Sequence, residues 1–288
     1  MLKVKDTNFL SEISSFFKNN DASKAMNSMM NIISGLNISE RTLFGRTTRF
    51  NSRSSLLQIL TCLILFPCFM IRNPYNFSNT RLGSMMGCGK DVFYRFAQDD
   101  RINWRKLLYH LNMQLWNKIR VRSDHKRCTT CLIVDDTDFG KTGKRFELMG
   151  RVFSHVEHKS ILGFKALTLA ITDGISQMVL DFALVGEPGK KNNFSMTAGE
   201  LAARYSKSRS KEAAVRERIE EYSLSKITLT IDMIKRAIKK GIRFRYILAD
   251  SWFACSEIIK FVHSRRIGCD YLGTVSYTHL TLPTISSV

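Results

Sequence analysis

The chain has 288 residues, of which 44 are Lys or Arg and 25 are Asp or Glu, giving a formal net charge of +19. With 44% hydrophobic and 24% charged residues the composition excludes a disordered or collagen-like chain, and the length allows about three quarters of the unfolded surface to be buried in one or two domains. A field of this sign attracts polyanions, nucleic acid first and anionic membrane surface second.

The N-terminal part reads as helical. Phe9, Ile13, Phe16 and Phe17 recur at helical spacing, and Met26, Met29, Met30, Ile33 and Leu36 do so after an N-cap at Asp21. Leu56 to Ile71 is almost wholly apolar, but it is shorter than the roughly 20 residues a bilayer requires and contains Pro67. It is expected as a buried helix, not a membrane span, followed by a turn at Arg72 to Tyr75. Residues 79–86 and 90–98 suit two short helices around Gly87-Cys-Gly89, a spacing that would offer Lys90, Arg95 and Gln98 to a DNA major groove. Trp104, Leu107, Leu108, Leu111, Leu115, Trp116 and Ile119 then form the stripe of a long amphipathic helix, with 123–127 as a polar link. Residues 1–127 are thus expected to be a helical, basic DNA-binding domain.

The polar N-terminus carries no export signal, so the seven cysteines are expected as reduced thiols. Cys128 and Cys131 form a lone C-x-x-C that lacks the second ligand pair a structural zinc site needs.

From Cys131 the hydrophobic period changes. Cys131-Leu-Ile-Val-Asp-Asp136 is a short apolar run ending in acids, and Phe164 to Thr172 and Gln177 to Val185 read as strands around Asp173-Gly174. A loop at 186–193 and helices at 211–222 and 225–240 follow, the second stopped by Gly241. Phe244 to Asp250 is again a strand ending in an acid, 257–265 a helix, and Cys269 to Thr274 a strand. Three strands, helices, a strand, a helix and a strand are the element order of an α/β, ribonuclease-H-like mixed sheet, expected over 128–274.

Asp135 and Asp250 each close an apolar strand. Adjacent strand ends lie about 4.8 Å apart, so two acids there can share bound cations, and hard oxygen ligands select Mg²⁺ or Mn²⁺. Two such ions roughly 3.5 to 4 Å apart activate water and stabilise the leaving 3′-oxygen in phosphodiester cleavage. Asp136 rivals Asp135, since register alone separates them and neighbours on a strand face opposite ways. Lys141, Lys144 and Arg145 follow in a Gly-containing loop and suit phosphate contact. Trp252, beside a buried strand, is expected to pack instead of stacking on a base.

Leu132-Ile-Val-Asp-Asp-Thr-Asp-Phe-Gly-Lys-Thr-Gly143 resembles the first catalytic block of DDE transposases of the insertion-sequence-4 type, and Tyr246-Ile-Leu-Ala-Asp-Ser-Trp-Phe253 resembles the second. The resemblance implies that Asp135 and Asp250 are the first two metal-binding acids. It implies two Mg²⁺ or Mn²⁺ ions in the intact enzyme, and double-stranded DNA partners in the form of terminal inverted repeats and target. It also implies a homodimer in the synaptic complex and a cytoplasmic, nucleoid-associated location in a bacterial-type cell. The family's third acid, a Glu in a Y-x-x-R block, has no match before Thr274.

Residues 275–288 carry no charge, and Val275-Ser-Tyr-Thr-His-Leu-Thr-Leu-Pro-Thr284 resembles a reading frame of a transposon-end sequencing adapter. The expectation is a transposase fragment of 274 native residues, catalytically incomplete as it stands. A non-catalytic DNA-binding repressor and a ribonuclease-H-like nuclease without strand transfer are the other two readings.

Overall fold

The computed structural model describes residues 23–44, 54–67, 70–80, 83–84, 87, 89–99, 101–122, 124–125, 127–142, 149–185, 217, 220–221, 224–264 and 267–273. The expectations for Phe9 to Phe17, the Asp21 cap, Lys144, Arg145, the loop at 186–193 and the run from 275 lie outside those residues, as does most of the helix at 211–222. The chain divides into two compact units between Gln114 and Leu115, within a continuous helix and ahead of the polar link at 123–127.

The first unit holds α1 (Ser23–Ser34), α2 (Glu40–Phe44), α3 (Leu56–Leu65), α4 (Pro74–Ser78), α5 (Lys90–Ala97) and the start of α6 (Trp104–Arg120). Helix α3 begins at a reciprocal cap: Ser55 Oγ accepts the Gln58 N–H at 3.2 Å, and Gln58 Oε1 accepts the Ser55 N–H at 2.8 Å. Its last turn stops at Phe66, one residue before Pro67, where the missing N–H and fixed φ favour an end. Its apolar residues are used in a core, where Ile59, Leu60 and Leu65 pack with Met30, Ile33 and Leu43. Phe66, Phe77 and Phe93 meet there with ring centroids 5.0 to 5.5 Å apart. No described helix is long and apolar enough to cross a membrane. The turn expected at Arg72 to Tyr75 is instead the start of α4: Asn73 Oδ1 accepts the Asn76 N–H at 2.9 Å, and Pro74 takes the first helical position, where no N–H is needed.

The second unit is built on β1 (Cys131–Gly140), β2 (Gly150–Ser154), β3 (Lys159–Thr172), β4 (Gln177–Val185), β5 (Tyr246–Ala249) and β6 (Asp270–Gly273). Strand β1 pairs antiparallel with β3 on one side and parallel with β5 on the other, and β6 extends the sheet parallel to β5. Strands β2 and β4 share the far edge of β3, at Lys159–Gly163 and Lys165–Thr172 respectively. The sheet is therefore mixed, with β1 at its centre. Helix α7 (Lys226–Lys239) packs on β3 and β4 through Leu229, Met233, Ile234 and Ala237, and α8 (Ser256–Val262) packs beside it. Gly241, at φ +79°, ends α7 in the left-handed conformation that glycine adopts without steric cost.

Strand β1 runs four residues past Asp136, where the apolar run stops, because β3 supplies a partner for all ten of its residues. Strand β2 is a fourth strand ahead of the helices, and β5 is shorter than the run from Phe244 to Asp250. At the base of the sheet, Asp173 Oδ1 accepts the Ile175 and Ser176 N–H groups at 3.1 and 2.8 Å, while its Oδ2 lies 2.7 Å from His125 Nδ1. Arg120, at the end of α6, donates to the His125 and Cys128 carbonyls at 2.7 and 2.9 Å and ties that helix end to the β3–β4 turn.

Candidate active site

The parallel register of β1 and β5 sets the geometry. Its last pair is Val134 with Ala249, both buried, so Asp135 and Asp250 occupy the next position on neighbouring strands. The pleat turns both to the opposite side from Val134 and Ala249, and both are exposed. Asp250 keeps an extended backbone, φ −74° and ψ 174°, and caps the 3₁₀ turn Ser251–Phe253, its Oδ1 accepting the Trp252 N–H at 3.0 Å. Asp135 Oδ1 accepts the N–H of Asp136 at 2.8 Å. The backbone of each acid is also held: Thr168 Oγ1 donates to the Asp135 carbonyl at 3.2 Å, and the Tyr271 hydroxyl to the Asp250 carbonyl at 3.4 Å. Burial, reinforced by the negative charge of Asp250, pushes the Tyr271 phenol above its ordinary pKa and keeps it a donor.

Charge pairing separates these two acids from their neighbours. Asp136 Oδ2 lies 3.1 Å from Lys226 Nζ, Asp138 pairs with Lys165 at 2.5 Å, Asp181 with Arg236 at 2.7 Å and Asp270 with Arg245 at 3.1 Å. The hydrogen bond from Lys165, helped by one from Ser154, holds the Asp138 carboxyl below the usual range. Among the described residues neither Asp135 nor Asp250 has a cationic side chain as partner. Two carboxylates without a described cationic partner form a local concentration of negative charge beside the C-terminal end of β5, within a chain of net charge +19.

That donor set fits a hard divalent cation. Each acid has one oxygen held by a backbone N–H, which orients the carboxylate, and a second oxygen that no described hydrogen bond occupies. No group of three or more His, Cys, Asp or Glu side chains among the described residues is arranged to hold a metal ion. His125 turns to Asp173, and Cys128 Sγ donates to the Asp124 carbonyl at 3.3 Å.

Of the other predicted residues, Lys90, Arg95 and Gln98 belong to the first unit and Lys141 to the second. Lys90, Arg95 and Gln98 are exposed on or at the end of α5, across from buried Phe93 and Phe96, with Lys90 Nζ 5.1 Å from the Tyr75 ring centre. Lys141 follows the end of β1 directly, its Nζ 3.6 Å from the Phe139 ring centre. Trp252 is 50% exposed, so it does not fill the core as expected; Phe253, which is fully buried, does. Lys226 had no signal in the sequence beyond its place after the Ser225 N-cap, yet it joins Asp136 to Trp252, whose ring centre lies 3.8 Å from its Nζ.

Residues 43–279 match the model of a family described as DDE superfamily endonuclease, a span that passes Thr274 into the run expected to be foreign. No curated protein and no solved structure matches the chain. With the match covering well over half of its length, the chain belongs to the DDE superfamily endonucleases.

Proposed function

We propose that the protein is a DNA transposase of the insertion-sequence-4 type, with Asp135 and Asp250 as the first two acids of its metal site, the third acid of the family's pattern, a Glu, having no match before Thr274. The observation that carries this reading is the placement of two carboxylates without a described cationic partner at the same level, one residue past the last pair of the neighbouring parallel strands β1 and β5, at the centre of a mixed sheet ordered as in ribonuclease-H-like nucleases. Two bound Mg²⁺ or Mn²⁺ ions would supply Lewis acidity to a bridging phosphate oxygen and lower the pKa of the attacking water. The chain's own contribution is positional. Thr168 and Tyr271 fix the backbone of the two acids, and the N–H groups of Asp136 and Trp252 fix the carboxylate rotations.

In the cleavage step the oxygen of water bonds to phosphorus and the P–O3′ bond breaks, leaving a 5′-phosphate and a free 3′-hydroxyl. In the joining step that hydroxyl attacks a target phosphodiester in line, and the target's P–O3′ bond breaks. The residues proposed to hold DNA are Lys90, Arg95 and Gln98 in the helical region, and Lys141, Lys144 and Arg145 after β1. Terminal inverted repeats and target duplex are the substrates, and a homodimer pairs the ends.

Duplex binding as a function of salt tests the reading. A chain that neutralises several phosphates loses affinity by about a hundredfold or more between about 50 and 200 mM salt. Asp135→Asn and Asp250→Asn should leave that binding in place. Salt-insensitive binding, or none, contradicts it. Products separate the two enzymatic readings: joined donor and target strands belong to a transposase, nicked DNA alone to a nuclease.

A further inference from the structure

We propose that Gly273 is a positioning residue for the candidate metal site: lacking a side chain, it lets the Tyr271 ring lie along β6 and bring its hydroxyl to the backbone of Asp250. The inference rests on the assignment of Asp250 as a metal ligand, and it adds a residue that acts on that ligand from the other face of the sheet. In the parallel register Tyr271 pairs with Ile247 and Gly273 with Ala249, so both stand on the face of Ile247 and Ala249. Asp250 is the next residue after Ala249, with its carboxylate turned to the opposite face. Tyr271 therefore meets Asp250 at the end of β5, away from the carboxylate, where its hydroxyl donates to the Asp250 carbonyl at 3.4 Å. The same carbonyl accepts the Phe253 N–H at 3.2 Å, within the 3₁₀ turn that the Asp250 side chain caps. One donor from that turn and one from β6 converge on a single oxygen. Together with the Trp252 N–H on Oδ1, they set the backbone from which the carboxylate projects.

Gly273 decides whether the donor from β6 arrives. A Cβ at position 273 would lie 2.8 Å from Tyr271 Cε1, 3.4 Å from its hydroxyl oxygen and 3.5 Å from Cζ. Carbon atoms in ordinary contact stand about 3.5 to 4.0 Å apart, so even a methyl group there displaces the ring. What yields is the outer end of a side chain, with no backbone atom among those three, so β6 can keep its pairing with β5 while the hydroxyl leaves Asp250. Glycine within a strand contributes no packing and costs conformational entropy, and it marks positions where another group approaches closely. Here the approaching group is the Tyr271 ring.

The test is Mn²⁺ titration of the full chain, followed by electron paramagnetic resonance, on Gly273→Ala, Tyr271→Phe and the double variant. Each single variant is expected to bind Mn²⁺ about fivefold more weakly, the worth of one ordinary hydrogen bond. The double variant should bind no more weakly than either, because both changes remove the same bond. The urea midpoint of Gly273→Ala should stay at the wild-type value. Wild-type Mn²⁺ affinity in either single variant, additive losses in the double variant, or a loss of affinity accompanied by a fall in the urea midpoint overturns the proposal. If Gly273→Ala fails to fold, the chain carrying Tyr271→Ala with Gly273→Ala must fold, since no ring remains to collide, and Tyr271→Phe must still bind Mn²⁺ more weakly; failure of either overturns it as well. Asp250→Asn reports separately on the carboxylate. Wild-type affinity in that variant removes the metal assignment itself, whereas its weakening beside an unaffected Gly273→Ala removes the positioning role alone.

Discussion

Asp135 and Asp136 are adjacent, chemically identical and opposite in environment. Strand alternation turns Asp136 toward α7, where Lys226 neutralises it, and turns Asp135 to the side where no described cation reaches it. Sequence alone left the two as rivals because strand phase depends on pairing partners. The existence of the Asp135 and Asp250 pair was legible, since each closes an apolar run; their alignment rests on the β1–β5 register, which no local pattern encodes. Asp173 carries a prediction at the same scale. Burial alone would raise its pKa, but the Ser176 and Ile175 N–H groups and the His125 imidazole hold the carboxyl below its ordinary value. A depressed folded-state pKa gives stability that is present above the unfolded value, about 3.9, and lost as pH falls through the folded one. Urea denaturation is therefore expected to show a decline below about pH 4 that Asp173→Asn flattens. An unchanged acid limb in that variant would place the loss elsewhere.

At the scale of elements, hydrophobic pattern located the long helices and the antiparallel pair β3 and β4, but it stopped β1 too early. After Val134 the strand reads Asp-Asp-Thr-Asp, with no apolar alternation, and it persists because β3 pairs with it throughout. Strand β2 was missed because five residues, Gly150 to Ser154, are too few for a period to emerge and its edge partner lies in the following strand. Helix α7 is attached to the sheet by charge as well as by its apolar face. The Asp181 side chain on β4 is fully buried, and Arg236 Nε approaches its Oδ2 at 2.7 Å. Arg236→Met removes the described cation beside a buried carboxylate and is expected to cost about 3 to 5 kcal/mol in urea denaturation, whereas replacing both residues with apolar ones should recover much of that loss. A cost below about 1 kcal/mol for Arg236→Met would show that Asp181 is satisfied without it.

For the whole molecule, the net charge of +19 indicated an anionic partner before any element was placed, and the family match over residues 43–279 gives that partner a chemistry. The same charge sharpens the meaning of the site: in a chain with 19 more basic than acidic residues, two neighbouring acids without a cation among the described residues are a departure from the surrounding field. Under the proposed function a divalent cation offsets that departure, and so metal binding tests the proposal most directly. Mn²⁺ titration of the full chain, followed by electron paramagnetic resonance, should show Asp135→Asn and Asp250→Asn each binding at least about tenfold more weakly, a loss of about 1.4 kcal/mol. Asp136→Asn should bind Mn²⁺ as the wild type does. Equal weakening by Asp136→Asn, or wild-type binding in the Asp135 and Asp250 variants, would contradict the assignment of this carboxylate pair.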